Sequence, residues 1–303
     1  MSPQKTLSPR AWGELILLSV IWGASFLSIR VALDEVPFVT TVAHRVVWAA
    51  LILWCYILIK GLPLPTAPRI WGACLVMGIF NNVIPFSLMA WGQLYIETGL
   101  TSIFNAATAI FGVLVAALVF IDEKLTPNRL AGVVIGFAGV AVAIGIDNLR
   151  NFNLRSLAQL AILAGTLSYA CAGSWARKTM VDLPPQLAAA GMLTGSSLIM
   201  LPAAFLIDGP PSFALQTDTV IAITYYAVIA TAGAYLLYYR VLAMAGSGNL
   251  MLCTLLIVPV AITLGAVFRG EALSPNALLG FAILAFGLLI LDGRILRILR
   301  RAP

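Results

Sequence analysis

Ten side chains able to hydrogen-bond or stack lie deep inside apolar runs of this 303-residue chain. They are Trp22, Ser25, Asn81, Asn82, Thr108, Ser168, Tyr169, Tyr226, Thr231 and Thr254. Amides and hydroxyls both donate and accept hydrogen bonds, and indole and phenol rings present flat apolar faces. Such a set suits reversible capture of a flat apolar solute that carries a polar end, with no bond made or broken. The other reading of the same residues is hydrogen bonding between membrane helices, the common use of Ser, Thr and Asn there. For Asn81 and Asn82 both readings stay open, since adjacent side chains on a helix cannot face the same neighbour.

Bond-making chemistry has no constellation to work with. HExxH, GxSxG and the phosphate-loop GxxxxGK are missing, and a single histidine cannot build a multi-histidine metal site. No catalytic residue, metal or cofactor is therefore expected, and ATP drive within the chain is excluded. Cys55, Cys74, Cys171 and Cys253 sit in apolar runs without a CxxC pair and read as small apolar fillers. No basic stripe or zinc spacing supports nucleic-acid binding. Acidic residues avoid mid-span: Glu14 lies one turn into the first run, Glu97 and Glu271 at outer ends, Asp122 and Glu123 in an inner loop. A buried carboxylate is the usual proton or sodium handle. Without one, movement down a gradient, or weak coupling through another group, is the simpler expectation. His44 and Arg45 are the strong bases well inside a span, about 10 Å below its outer end at ~1.5 Å per residue. Arg45 is expected to snorkel to the outer interface and His44 to be structural, although its ring could titrate near neutral pH.

The elements that hold these groups follow from composition. Hydrophobic residues make up 61% of the chain and charged ones 10%, where a soluble domain carries roughly 25% charged. Runs long enough to cross a bilayer as helices number ten, at 11–30, 38–59, 70–95, 98–121, 127–146, 156–176, 185–207, 218–239, 248–268 and 275–292. The fold class expected is an all-α polytopic membrane protein. The first run leads straight into a full span, so no cleaved leader is expected.

A phrase recurs 148 residues on: EKLTPNRLAG at 123–132 and EALSPNALLG at 271–280, identical at six of ten positions. Thr126 and Ser274 suit a helix N-cap, with Pro127 and Pro275 at the first helical position. The same offset pairs Pro37 with Pro185 and Gly139 with Gly287. The chain thus divides into repeats 1–148 and 149–303, five helices each, in one integrated transmembrane domain. An odd number of crossings forces the second copy to lie upside down, the plan of many secondary transporters. Charge agrees: with the N-terminus in the cytoplasm, the outer loops hold Arg30, Arg150, Arg155 and Arg269, Arg45 is within a span, and every other Lys and Arg is inside. Both termini are expected in the cytoplasm.

Trp12, Trp71, Trp91, Tyr95, Trp175, Tyr235, Tyr238 and Tyr239 lie near span ends and read as an interfacial belt, Tyr239 with the option of a cavity mouth. Pro85, Pro202 and Pro259 each remove an intrahelical hydrogen bond. Pro85 and Pro259, in the third and ninth spans, mark moving parts that could gate. The glycines of the fifth and tenth spans suit close packing, as scaffold or as a dimer contact.

Ten spans, two inverted halves and E-x-L-[ST]-P-N before the fifth and tenth helices resemble the EamA-type drug/metabolite transporters over nearly the whole chain. Trp22-Gly23, and Pro37 followed by Arg45, add to the likeness. Within that superfamily the chain is most similar to bacterial exporters of aromatic amino acids and related metabolites. The resemblance implies a basket of helices 1, 3, 4, 6, 8 and 9 around a central cavity, with 5 and 10 outside, in the bacterial plasma (inner) membrane. It implies a small-molecule substrate and a monomer or homodimer working by alternating access. The four-helix multidrug relatives carry a mid-membrane glutamate in helix 1; Glu14 lies near the surface, so their proton antiport does not carry over. The alternatives are a multidrug or other metabolite exporter, or a passive pore; a lipid flippase or membrane enzyme stands further off, the enzyme without a catalytic constellation.

Overall fold

The computed structural model describes residues 8–145, 153–212, 214–245, 250 and 252–292. Among them, nine helices are long and apolar enough to cross a membrane: α1 (Pro9–Ala32), α2 (Phe38–Ile59), α3 (Pro68–Gly92), α4 (Thr98–Val119), α5 (Pro127–Ile144), α6 (Leu154–Thr179), α7 (Pro185–Ile207), α8 (Thr217–Ala245) and α9 (Leu252–Arg269). A tenth, α10 (Pro275–Leu291), is apolar and shorter. Among the described residues there is no strand.

The helix ends are written in the local sequence. Thr126 Oγ1 accepts from the Arg129 N–H at 3.4 Å, and Ser274 Oγ from the Ala277 N–H at 3.2 Å. Each cap is followed by a proline whose missing N–H is no loss at that position. Ser8 and Asn153 cap α1 and α6 the same way. Gly61 and Gly209, past the ends of α2 and α7, both adopt positive φ (60° and 86°), a turn that residues with a Cβ resist. They too stand 148 residues apart.

Packing repeats with the sequence. α1 packs on α8 and α9 as α6 packs on α3 and α4, and α2 meets α8 as α7 meets α3. The pairs α2–α7, α4–α9 and α5–α10 map onto themselves. That pattern is a twofold axis exchanging the halves. A Cβ on Gly132 would stand 2.7 Å from the Gly287 carbonyl, and one on Gly139 2.7 Å from the Gly280 carbonyl. Residue numbers rise along α5 as they fall along α10, so the two cross the layer in opposite senses and the repeats are inverted. These glycines are spent inside the chain, which settles scaffold against dimer contact for that face.

α2 and α7, packed on each other, also touch α3 and α8. They close the ring that the six-helix basket leaves open, and α2 brings Arg45 to its inside.

Candidate functional site

α3 and α8 do not pass through the middle of the bundle as simple α-helices. Ile79–Val83 of α3 and Tyr225–Gly233 of α8 are π-helical, and the 148-residue offset places the first within the second. In α3 the reason is Pro85, whose ring would clash with the carbonyl of residue 81 in a regular helix; the wider turn makes room. π-turns leave backbone carbonyls unpaired, and neighbouring helices supply the donors. Ser168 Oγ donates to the Phe80 carbonyl at 2.7 Å and Ser196 Oγ to that of Gly78 at 3.2 Å. Trp22 Nε1 donates to the Ala230 carbonyl at 3.1 Å. The two halves thus support their widened helices from equivalent neighbours, α6 under α3 and α1 under α8.

Arg45 lies at the centre of what these turns frame. It does not snorkel. Its Nε donates to Thr231 Oγ1 at 3.0 Å, and its guanidinium carbon stands 3.8 Å from the Phe86 ring centre. Thr231 is held in turn by its hydroxyl donating to the Tyr226 carbonyl at 2.7 Å. The phenols of Tyr169, Tyr235 and Tyr226 lie within electrostatic reach of the cation. A cavity of about 10 Å³, room for roughly one water, lies beside it, bordered by Thr41, Val42, Phe86 and Tyr226. Snorkelling fails because Arg45 lies on the face of α2 that packs toward α8, not on its lipid face.

The other sequence-stated candidates divide between this site and the scaffold. Asn81 is half-buried and donates to Tyr235 Oη at 3.2 Å and to Asn82 Oδ1 at 3.3 Å. Contrary to the expectation from helix geometry, the two adjacent amides share one neighbour, because the Tyr235 phenol reaches both. Asn82 is fully buried; its amide nitrogen donates to Ser196 Oγ at 2.9 Å, and its oxygen accepts from Tyr235 Oη at 3.3 Å. Asn82 and Ser168 are therefore interhelical ties. Tyr169 packs edge-on against Phe86, with centroids 6.4 Å apart, and stays in the site. Tyr226 is fully buried and its hydroxyl donates to the Thr41 carbonyl at 3.2 Å, so it clamps α8 to α2 beside the cavity. Trp22 stands near Tyr238, centroids 5.8 Å apart, nearer the face where α1 begins. Ser25 donates to the Trp22 carbonyl within α1. Thr108 donates to the Asn105 carbonyl where α4 tightens at Ala106–Ala107. Thr254 lies on α9 and is half-buried. Pro85 is buried against α6, facing Gly165; Pro259 is exposed on the outside of α9.

Sequence reasoning missed Tyr235, Tyr238 and Arg45 as interior groups. The two tyrosines were set in the interfacial belt by a span ending at 239; α8 continues to Ala245, which draws them inward. An uncompensated arginine two turns inside a span was the available signal for the third.

Asn81 and Asn82 give opposed expectations. Asn82→Ala should lower thermal stability by roughly 1–3 kcal/mol, because it strands buried partners. Asn81→Ala should leave melting nearly unchanged and reduce flux. Thermal unfolding in detergent beside flux in vesicles separates them; equal losses of stability would contradict the assignment.

At the face where α1 ends, Asp34 bridges Arg30 and Arg269. Burial alone would raise its carboxyl, but hydrogen bonding and charge from Arg269 and Arg30 outweigh that and hold it below the usual carboxylate range. Glu271 accepts from the N–H and hydroxyl of Thr98, and Asp208 from those of Thr40, so loop carboxylates cap α4 and α2. On the other face Glu14 pairs with Arg10 and Arg240, and Arg177 with Asp122 and Glu123.

Apolar helices long enough to cross a membrane, arranged as two inverted repeats with polar and aromatic side chains gathered between them, define the class: a polytopic membrane transporter. The model of the EamA-like transporter family matches residues 12–145 and again 156–291, and the chain belongs to that family. Protein PagO of Salmonella typhimurium is 24% identical over 91% of this chain and 90% of its own length. A probable amino-acid metabolite efflux pump of Escherichia coli is 25% identical over 91% and 92%. A probable terminal-alkyne amino-acid exporter of Streptantibioticus cattleyicolor is 27% identical over 96% and 95%. One solved crystal structure, 16% identical, superposes with a TM-score of 0.68 over 96% of this chain and 99% of that one, a likeness of fold.

Proposed function

We propose that the protein exports amino acids, aromatic or hydrophobic ones by preference, and related metabolites across a bacterial inner membrane, with both termini in the cytoplasm. The observation that carries the reading is the mid-depth meeting of Asn81, Tyr169 and Tyr235 with Phe86, where an apolar wall adjoins hydrogen-bonding groups. Efflux and export of amino acids in the names of two similar proteins support it. The repeats 1–148 and 149–303 rock against each other about the shared site, and bending near Pro85 and Pro259 alternates the openings. With no carboxylate at mid-span, transport runs down the substrate gradient. A buried arginine in the middle disfavours lipophilic cations, which argues against a multidrug exporter.

The test is counterflow in proteoliposomes loaded with unlabelled phenylalanine or tryptophan. Saturable accumulation of the labelled amino acid, with none for tetraphenylphosphonium, is the expected outcome. Flux of phenylalanine that never saturates would replace the carrier with a pore, and uptake of the cation alone would replace the substrate.

A further inference from the structure

Burying a guanidinium is costly unless its charge and its N–H groups are answered. Proteins that use arginine as structural glue surround the fork with carboxylates or carbonyls, since it offers five donors in a fixed plane. Arg45 is not treated that way. Among the described residues no Asp or Glu oxygen lies within 4.0 Å of its nitrogens. Nε alone is engaged, by Thr231; the two terminal nitrogens hold no acceptor among the described residues. Nor are they sealed: the residue is half-buried, borders the cavity, and neither terminal nitrogen is among the buried unpartnered atoms. The face of the cation rests on Phe86, which fixes the plane of the fork and supplies part of the missing solvation. Thr231 and Phe86 hold one edge and one face, and the outer edge of the fork is left unengaged.

A planar fork with an unengaged edge matches a carboxylate, which accepts two parallel N–H bonds. We propose that Arg45 is the substrate's carboxylate receptor: the site takes a small aromatic or hydrophobic monocarboxylate, its acid group on the terminal nitrogens of Arg45 and its ring toward Tyr169 and Phe86. This inference rests on the central site of the proposed carrier and narrows its substrate class. A bound carboxylate pairs the guanidinium directly, so the fork crosses the occluded form with its hydrogen bonds satisfied, which the empty site cannot do, a bias toward exchange.

The test is a binding comparison on the purified full-length chain with four probes, phenylalanine, 3-phenylpropionate, phenylalanine methyl ester and phenethylamine, followed by thermal shift or intrinsic fluorescence. Both acids are expected to bind at least about tenfold more tightly than the ester and the amine, the span of one charge-assisted hydrogen bond. Arg45→Gln should erase that preference, and Arg45→Lys should keep part of it. The comparison on the unmutated chain needs no variant to fold, so it stands if Arg45→Gln is poorly behaved. Ester or amine binding as well as the acids, a preference that survives Arg45→Gln, or binding of none of the four would overturn the assignment. Failure of the export reading looks different: 3-phenylpropionate binds through Arg45 while phenylalanine shows no counterflow. Counterflow shared equally by phenylalanine and its ester keeps the carrier and discards the receptor.

Discussion

Replacing Gly139 with leucine is expected to leave little folded protein in the membrane. A Cβ there would overlap the backbone nitrogen of Leu284 and stand 2.7 Å from the Gly280 carbonyl; on Gly280 it would stand 2.5 Å from the Ala143 nitrogen. These neighbours are main chain, so no rotamer change makes room, and α5 and α10 must separate along the glycine face. Overpacking in a close-packed interior costs about 1–3 kcal/mol where side chains can yield, and more where they cannot. Against a total stability of ~5–15 kcal/mol that is a large share. Gly13→Ala and Gly72→Ala, where an added Cβ meets nothing within 4 Å, should be tolerated. Size-exclusion profiles and melting temperatures of detergent extracts provide the readout. A monodisperse Gly139→Leu protein with unchanged melting would show that the α5–α10 contact does not hold the repeats together.

Glu271→Ala is expected to cost far more than Glu123→Ala, although the two residues head the same repeated phrase. Glu271 reaches across to α4 and accepts from the Thr98 N–H at 2.9 Å and its hydroxyl at 2.8 Å. Thr98 is fully buried, so removal of the carboxylate strands two donors, at roughly 1–3 kcal/mol each. Glu123 instead pairs with Arg129 and Arg177 where its side chain is 31% exposed, and such pairs contribute about 0–1 kcal/mol. Gly265→Ala should imitate the Glu271 loss, because its Cβ would overlap the Glu271 carboxylate and push it off Thr98. Thermal unfolding of the three variants decides the matter. Equal shifts for Glu123→Ala and Glu271→Ala would sink the capping account.

Much of this architecture was legible along the chain. Lipid demands that every backbone polar group be satisfied within its own segment, so span number and placement follow from runs of apolar residues. The offset of 148 then carries inversion with it, and the structure repeats that offset in places no motif marked, such as the π-turns of α3 and α8 and the turn glycines 61 and 209. The reading of the mid-depth polar residues was less complete. Their place in the chain could be counted, but not their partners: Asn82 and Ser168 tie helices together from fully or nearly buried positions, Asn81 does so from a half-buried one, and Tyr169 packs on Phe86.

The sequence alone determined the linear quantities: ten apolar runs, the repeat, and the caps of α5 and α10. Each depends on neighbours in the chain and on the thickness of the solvent. Tertiary structure decided the direction in which each side chain leaves its helix axis. Successive residues on a helix point about 100° apart, so a rotation set by packing buries Asn82 fully, leaves Asn81 half-buried and turns Arg45 from the lipid to the interior. The π-turns shift that register again for everything beyond them; Pro85 prompts the one in α3 locally, but both are supported by donors distant in sequence, Ser168 and Trp22, that meet the carbonyls they release.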